Sequence, residues 1–266
     1  MENGKEFSVC FGVPSWLPNK EPARSQRIDR LNRMFHQMHD LFGNVEWIVI
    51  AQNWQGYRPP EFIKDRYVVK RPQLGILKAR KELRAEFLKR GYDYLVMLDD
   101  DCIIESKMED CLRYVDEMRK HPDGFCFLQY ESAQLNLCAI SRSIYQREPM
   151  VNLDAQKDEG YEDIVFAYLL HYKYPESEFH IDGIRCTQFN NPNEVAPSTW
   201  ADSSHDFDEL LRKSRYYISR FQKGDFSVDK KKASMYLLTS RKVEKMLWNG
   251  WITKVQADAM LDKYLH

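Results

Sequence analysis

The sequence predicts an α/β fold with a mostly parallel central sheet flanked by helices, and three observations carry that reading. Between residues 7 and 98, short apolar runs of strand length alternate with helical patterns. Tyr94 to Leu98 is unbroken apolar, short enough to be a strand buried on both faces. Three carboxylates, Asp99, Asp100 and Asp101, follow at once, at the strand end where open α/β sheets bind ligands.

Taken in order, Phe7 to Val13 reads as the first strand and Pro14-Ser15-Trp16-Leu17-Pro18 as the loop that ends it. Arg24 to Phe42 is an amphipathic helix with Ile28, Leu31, Phe35, Met38 and Phe42 on one face, stopped by Gly43. Val45 to Ala51 is a second buried strand, followed by the polar loop Gln52-Asn53-Trp54-Gln55-Gly56. Arg66 to Lys70 is a short third strand, and Gln73 to Arg90 a helix capped by Gly91. After the acidic strand, Ser106 to Lys120 is a helix whose Ser106 and Glu109 fit a capping box. Phe125 to Tyr130, Leu135 to Ser141 and Glu178 to Thr187 read as strands. Met150 to Gly160 and Gln188 to Ser204 read as polar loops. Glu162 to Leu170 opens acidic and continues apolar all round, as a buried helix does. Phe207 to Gln222 is a further helix. Val228 to Trp248 and Ile252 to Leu265 form a helical pair, with Thr253 and Gln256 as the second capping box.

At 266 residues, 43% hydrophobic and 30% charged, the chain has the composition of an ordinary globular protein with a full core. No apolar segment approaches the roughly 20 residues a spanning helix needs, and the charged start shows no signal peptide. The six cysteines form no CxxC pair, and several lie inside apolar runs. Buried free thiols in a reducing, cytoplasmic setting are therefore expected. The net charge is −1, but Glu209 to Lys254 holds twelve Lys/Arg against four Asp/Glu, so that segment carries +8 and the remainder −9. Such a basic region suits a phosphate-rich partner or an anionic membrane surface; it equally suits a solvated helix face.

Three adjacent carboxylates repel unless a cation is shared between them. The triplet is therefore read as a divalent-metal site, with an acidic turn between strand and helix as the plainer account. Glu159, Glu162 and Asp163 share one side of the buried helix's start. The helix dipole alone favours acids there, and an acidic end facing a pocket is the functional account.

Four features in order resemble a GT-A-fold (nucleotide-diphospho-sugar transferase) glycosyltransferase of the large family-2 type. Val13-Pro14-Ser15 is similar to that family's nucleotide-binding opening, and Gly75 to Arg80 to its glycine-to-Ala-Arg segment. Leu98-Asp99-Asp100-Asp101 has the DxD form, and Glu162-Asp163 resembles the ED motif. His205 is placed where many such enzymes carry a metal-completing histidine. The resemblance covers about residues 7 to 222. It divides the chain into a glycosyltransferase domain at 1–222 and a basic C-terminal helical extension at 223–266.

The resemblance implies a metal-dependent inverting glycosyltransferase of hexosyltransferase type, using Mn2+ or Mg2+ and a nucleotide-diphosphate sugar, with UDP as the nucleotide. It gives Asp101, Asp99 and His205 to the metal, and Pro14, Ser15, Asn53, Arg80 and Asp99 to the donor nucleotide. Asp163 becomes the general base, Glu162 its partner toward the acceptor, and Asp100 a solvated or backbone-bonded bystander. Trp16, Trp54 and Tyr57 are candidates for stacking on a base or sugar, or for packing. The chain departs from the family where an Asp commonly follows the second strand: here stand Gln52-Asn53-Trp54. It departs again at Lys81, where an Asn often follows the Ala-Arg pair. The acceptor stays open among a glycan, a wall polymer, a peptide and a modified nucleic acid. Membrane contact through the basic tail and a homodimer through the last helices stay open as well. The alternatives are a nucleotidyltransferase of related build, which lacks its Gly-rich phosphate loop here, and a non-catalytic nucleic-acid or surface-binding protein using the basic tail.

Overall fold

The computed structural model describes residues 7–43, 45–64, 68–71, 74–127, 137–148, 162–184, 186–188 and 207–225, with isolated positions at 227, 253, 255, 256 and 259. The chain divides into two compact units. The first holds Met1–Leu128, Leu135–Val151 and Glu176–Phe189; the second holds Gln129–Gln134, Asn152–Pro175 and Asn190–His266.

The first unit is a mixed α/β domain. Strands β1 (Val9–Trp16), β2 (Glu46–Gln52), β3 (Val68–Arg71) and β4 (Tyr94–Met97) run parallel, while β7 (Cys138–Ser141) is antiparallel to β4 and β6 (Phe125–Cys126) is antiparallel to β7. Their order is β3-β2-β1-β4-β7-β6. The chain thus winds outward from β1 to β3, then returns to the other side of β1 with β4. That reversal is a topological switch point, and the sheet parts at its carboxyl edge. The last β1–β4 pair is Gly12 with Met97, and Pro14, which has no N–H to give a neighbour, lies beyond it.

Helices cover both faces because successive strand residues alternate sides. On one face α1 (Ala23–Phe42) buries Leu31, Met34, Phe35, Met38 and Phe42. There Phe35 meets Trp47 edge-on with centroids 5.2 Å apart, and Phe11 meets Phe42 at 4.9 Å. On the other face α3 (Ile76–Arg90) comes so close that a Cβ on Gly12 would stand 2.7 Å from Leu83 Cδ2 and 2.6 Å from Leu95 Cδ1. A side chain there would force the Leu83 and Leu95 methyl groups to shift. Gly43 ends α1 as expected, its N–H donating to His39 O at 2.9 Å.

Beyond β4, β5 (Cys102–Ile104) pairs antiparallel with β8 (Cys186–Gln188) in a separate small sheet. Cys102 and Cys186 are joined as a disulfide, with Cα atoms 6.5 Å apart. This corrects the expectation of free thiols throughout: Cys10, Cys111, Cys126 and Cys138 are free and buried, but the pair at β5 and β8 is not. Spacing along the chain gave no sign of it, because the partners are 84 residues apart and meet only through sheet pairing.

Other corrections are local. Helix α4 (Met108–Lys120) starts later than expected, with Lys107 in place of Ser106 as N-cap and no cap bond from the Lys107 side chain. Glu109 and Asp110 lie in its first turn, where the dipole favours them. Instead of a strand from Glu178, a 3-10 turn at Pro175–Ser177 leads to a single bridge between Glu178 and Phe125. Two short helices were not anticipated, α2 (Glu61–Lys64) and α5 (Arg142–Arg147). The second is announced by Ser141, whose Oγ accepts from the Ile144 N–H at 3.4 Å.

In the second unit, α6 (Glu162–Lys173) and α7 (Phe207–Gln222) pack together. Phe166, Ala167, Leu169 and Leu170 of α6 are buried, as are Ile218 and Phe221 of α7. The expected boundary at 222/223 falls inside this unit. The capping box at Thr253 is formed: Thr253 N–H donates to Gln256 Oε1 at 2.8 Å, and Gln256 N–H to Thr253 Oγ1 at 3.2 Å. The expected helix at 228–248, the loop at 150–160 and His205 lie outside the described residues. No helix among the described residues is long and apolar enough to cross a membrane.

Candidate functional site

The carboxyl edge of β1 and β4 gathers most of the residues singled out in the first unit. β4 delivers Asp99, Asp100 and Asp101 in the turn before β5, and β1 delivers Pro14, Ser15 and Trp16 opposite them. Pro14 is buried within β1, paired with Ile50 of β2.

Asp100 is the anchor. Its Oδ2 accepts from Ser15 Oγ at 2.8 Å and from the Trp16 N–H at 3.2 Å, and its Oδ1 is paired with Arg27 Nη2. Behind it, the Trp54 indole N–H donates to Ser15 Oγ at 3.2 Å. Asp100 is 1% exposed and Ser15 fully buried, so this chain of donors and acceptors is a buried polar network with its members paired. Of the two expectations for Asp100, solvated or bonded to backbone, the structure shows the second, with Ser15 and Arg27 added. Burial pushes its carboxyl up, opposed by the Arg27 charge and the Ser15 hydrogen bond.

The flanking acids are held differently. Asp99 Oδ1 receives Arg80 Nη2 at 2.9 Å, and Arg80 is only 4% exposed. Gly75 sets this up: its φ of 83° opens α3, a conformation rarely taken by residues with a Cβ. Arg80 follows on the inner face beside Leu77, Ala79 and Leu83. Asp101 Oδ2 receives Arg27 Nη1 at 3.2 Å, while its Oδ1 is buried and has no hydrogen-bond partner. Burial pushes the Asp101 carboxyl up to about 6, against the pull of Arg27 and with the push of Asp100 and Asp99. Burial pulls the Arg27 guanidinium down, but Asp100, Asp101 and Asp99 together outweigh it and leave it raised. Three carboxylates thus face the guanidinium groups of Arg27 and Arg80, and Arg30 adds a weaker pull on Asp101.

Arg27 was not anticipated, though its position was readable. It stands four residues before Leu31 and seven before Met34, on the buried stripe of α1. A charge at a stripe position calls for a buried partner.

Asn53 lies at the same sheet edge, just after β2, with φ 61°. Its Nδ2 donates to Leu17 O at 2.6 Å and to Asn19 Oδ1. Arg24 joins the two loops further, donating to Pro18 O at 2.9 Å and Asn53 O at 3.2 Å. Trp54 and Tyr57 pack in the core with ring centroids 4.9 Å apart, whereas Trp16 is 38% exposed at the edge. Glu162 and Asp163 begin α6 in the second unit, and their side chains lie outside the described residues, as does His205.

No three His, Cys, Asp or Glu groups among the described residues are arranged as a ready metal cage. A Mg2+ or Mn2+ ion that also binds substrate phosphates asks less, one or two carboxylates with water making up the rest. Asp101, with a buried unpartnered oxygen in a turn of three carboxylates, fits that smaller demand.

No protein-family profile matches the sequence, and no curated protein matches it. Among solved structures, A197 from STIV is similar at 12% identity and a TM-score of 0.41, over 70% of this chain and 87% of that one. S. aureus TarS is similar at 11% identity and a TM-score of 0.45, over 97% of this chain but 43% of its own length. Likenesses of that size carry no argument about activity.

Proposed function

We propose that the chain is a metal-dependent inverting glycosyltransferase of GT-A type, moving a hexosyl group from a nucleotide-diphosphate sugar, with UDP as the nucleotide, to a hydroxyl acceptor. One observation carries the reading: the acid turn stands at the switch point of a parallel sheet, with a buried unpartnered oxygen on Asp101. The ordered Gly75 to Arg80, Asp99 to Asp101 and Glu162-Asp163 segments support it.

On this reading Asp101 and Asp99, with His205, hold a Mn2+ or Mg2+ ion, which when bound neutralises the charge of the departing diphosphate. Ser15 and Asp100 fix the turn so that little reorganisation is needed when charge develops. Arg80 holds Asp99 in place. Asn53 serves the nucleotide through the loop it ties, since its amide hydrogens are engaged by Leu17 and Asn19. Asp163 takes the proton from the acceptor hydroxyl as that oxygen bonds to the anomeric carbon. The bond from that carbon to the diphosphate breaks on the opposite side, so configuration inverts. Glu162 positions the acceptor.

The test is a panel of nucleotide sugars and acceptors with Mn2+, read by release of nucleoside diphosphate. Release that chelation abolishes, and that Asp163→Asn removes while nucleotide binding persists, is expected. Pyrophosphate release from a nucleoside triphosphate, or nucleic-acid binding with no release from any sugar nucleotide, would contradict the proposal.

A further inference from the structure

We propose that Arg27 is a built-in counter-cation of the acid turn, exchanged for the divalent ion when the nucleotide arrives. Its guanidinium bridges Asp100 Oδ1 and Asp101 Oδ2, placing one positive charge across the two carboxylates. This inference rests on the metal-dependent reading above and adds a coupling to it.

The two arginines of the turn are not equivalent. Arg80 is sealed at 4% side-chain exposure, whereas the Arg27 side chain is 28% exposed. The Arg27 Nε is buried with no partner, so it grips the turn through its two Nη atoms alone. A divalent ion on Asp101 meets this guanidinium at close range, and like charges in a partly buried site repel. Binding of metal alone is therefore opposed. A diphosphate removes the conflict, because a guanidinium pairs with phosphate oxygens in the same forked geometry it uses on carboxylates. Arg27 passes to the diphosphate and Asp101 to the metal, so each ligand tightens the other. Such coupling is reciprocal by linkage.

The test is Mn2+ binding to the full chain, followed by electron paramagnetic resonance with and without uridine diphosphate. Arg27→Met is expected to bind Mn2+ alone at least about tenfold more tightly than wild type, a change of ~1.4 kcal/mol. The extra tightening that uridine diphosphate gives shrinks in the same variant. Arg27→Lys falls between, since one ammonium does not bridge two carboxylates as a guanidinium does, and it carries the test if circular dichroism shows Arg27→Met unfolded. General damage to the turn weakens metal binding, so tighter binding is a signature that a merely structural role does not produce. Unchanged or weaker Mn2+ binding in folded variants overturns the exchange. Wild type that binds Mn2+ with uridine diphosphate, matched in both arms by the variants, sinks the exchange alone. Absence of Mn2+ binding in every variant, nucleotide or not, removes the metal-dependent reading with it.

Discussion

The two ends of the β1–β4 pair carry the same clasp put to different uses. At the amino end Asp93 Oδ2 accepts from the Ser8 N–H at 2.9 Å and Ser8 Oγ at 2.8 Å. At the carboxyl end Asp100 Oδ2 accepts from Ser15 Oγ at 2.8 Å and the Trp16 N–H at 3.2 Å. Both serines lie 85 residues before their aspartates, as two parallel strands in fixed register require. The amino-end clasp is half-buried; the carboxyl-end one is buried and continues into Arg27 and Trp54. It is also flanked by two further acids at the edge where the sheet parts. The same hydrogen-bonding device sews the strands at one end and fixes a charged turn at the other. Parallel sheets concentrate binding at the carboxyl end, and here the clasp is what makes that end rigid.

The largest effect expected from breaking this contrast is Asp100→Ala. It leaves Ser15, the Trp16 N–H and Arg27 facing a buried gap, and should cost about 3–5 kcal/mol in urea unfolding. Ser15→Ala comes next, at about 1–3 kcal/mol, because it strips a buried acceptor and a buried donor of their shared partner. Ser8→Ala should cost only about 1 kcal/mol, since the Ser8 N–H still reaches Asp93 and the site is partly open to water. Equal losses for Ser8→Ala and Asp100→Ala would erase the distinction between the ends. The smallest effect concerns the cysteines just beyond the turn. Four thiols should titrate in the denatured, unreduced chain and six after reduction. In the native protein Cys111, pushed up to about 11 by burial, should stay slow toward maleimide from pH 7 to 9. Six thiols without reductant would contradict the Cys102–Cys186 bond.

Much of this contrast was legible in the sequence because it is local. The apolar run Tyr94 to Leu98, the acids behind it and the stripe of α1 each follow from a period a single segment carries. Gly91 marked the end of α3 for the same reason, whereas its start lies at Ile76 behind Gly75 and not at Gln73 as expected. What escaped was whatever needs two distant segments at once. The disulfide, the Ser15–Asp100 bond and the hold of Arg27 on the turn join residues 73 to 85 positions apart. Asp100 in particular was taken for a bystander because an acid between two acids looks like surface. Its burial is decided by Ser15, expected in a loop but placed on β1 by the structure. The capping boxes show the same limit on a small scale. Thr253 and Gln256 form theirs, whereas α4 starts two residues past Ser106, which leaves Lys107 as the cap.

The most direct measurement is calorimetric titration of uridine diphosphate into wild type and Asp101→Asn, each with Mn2+ and with chelator. The account predicts binding by wild type only with Mn2+, and its loss in Asp101→Asn while the unfolding transition remains cooperative. Equal binding in chelator, or Asp101→Asn binding as wild type does, would contradict the claim that this turn is a cation-dependent nucleotide site.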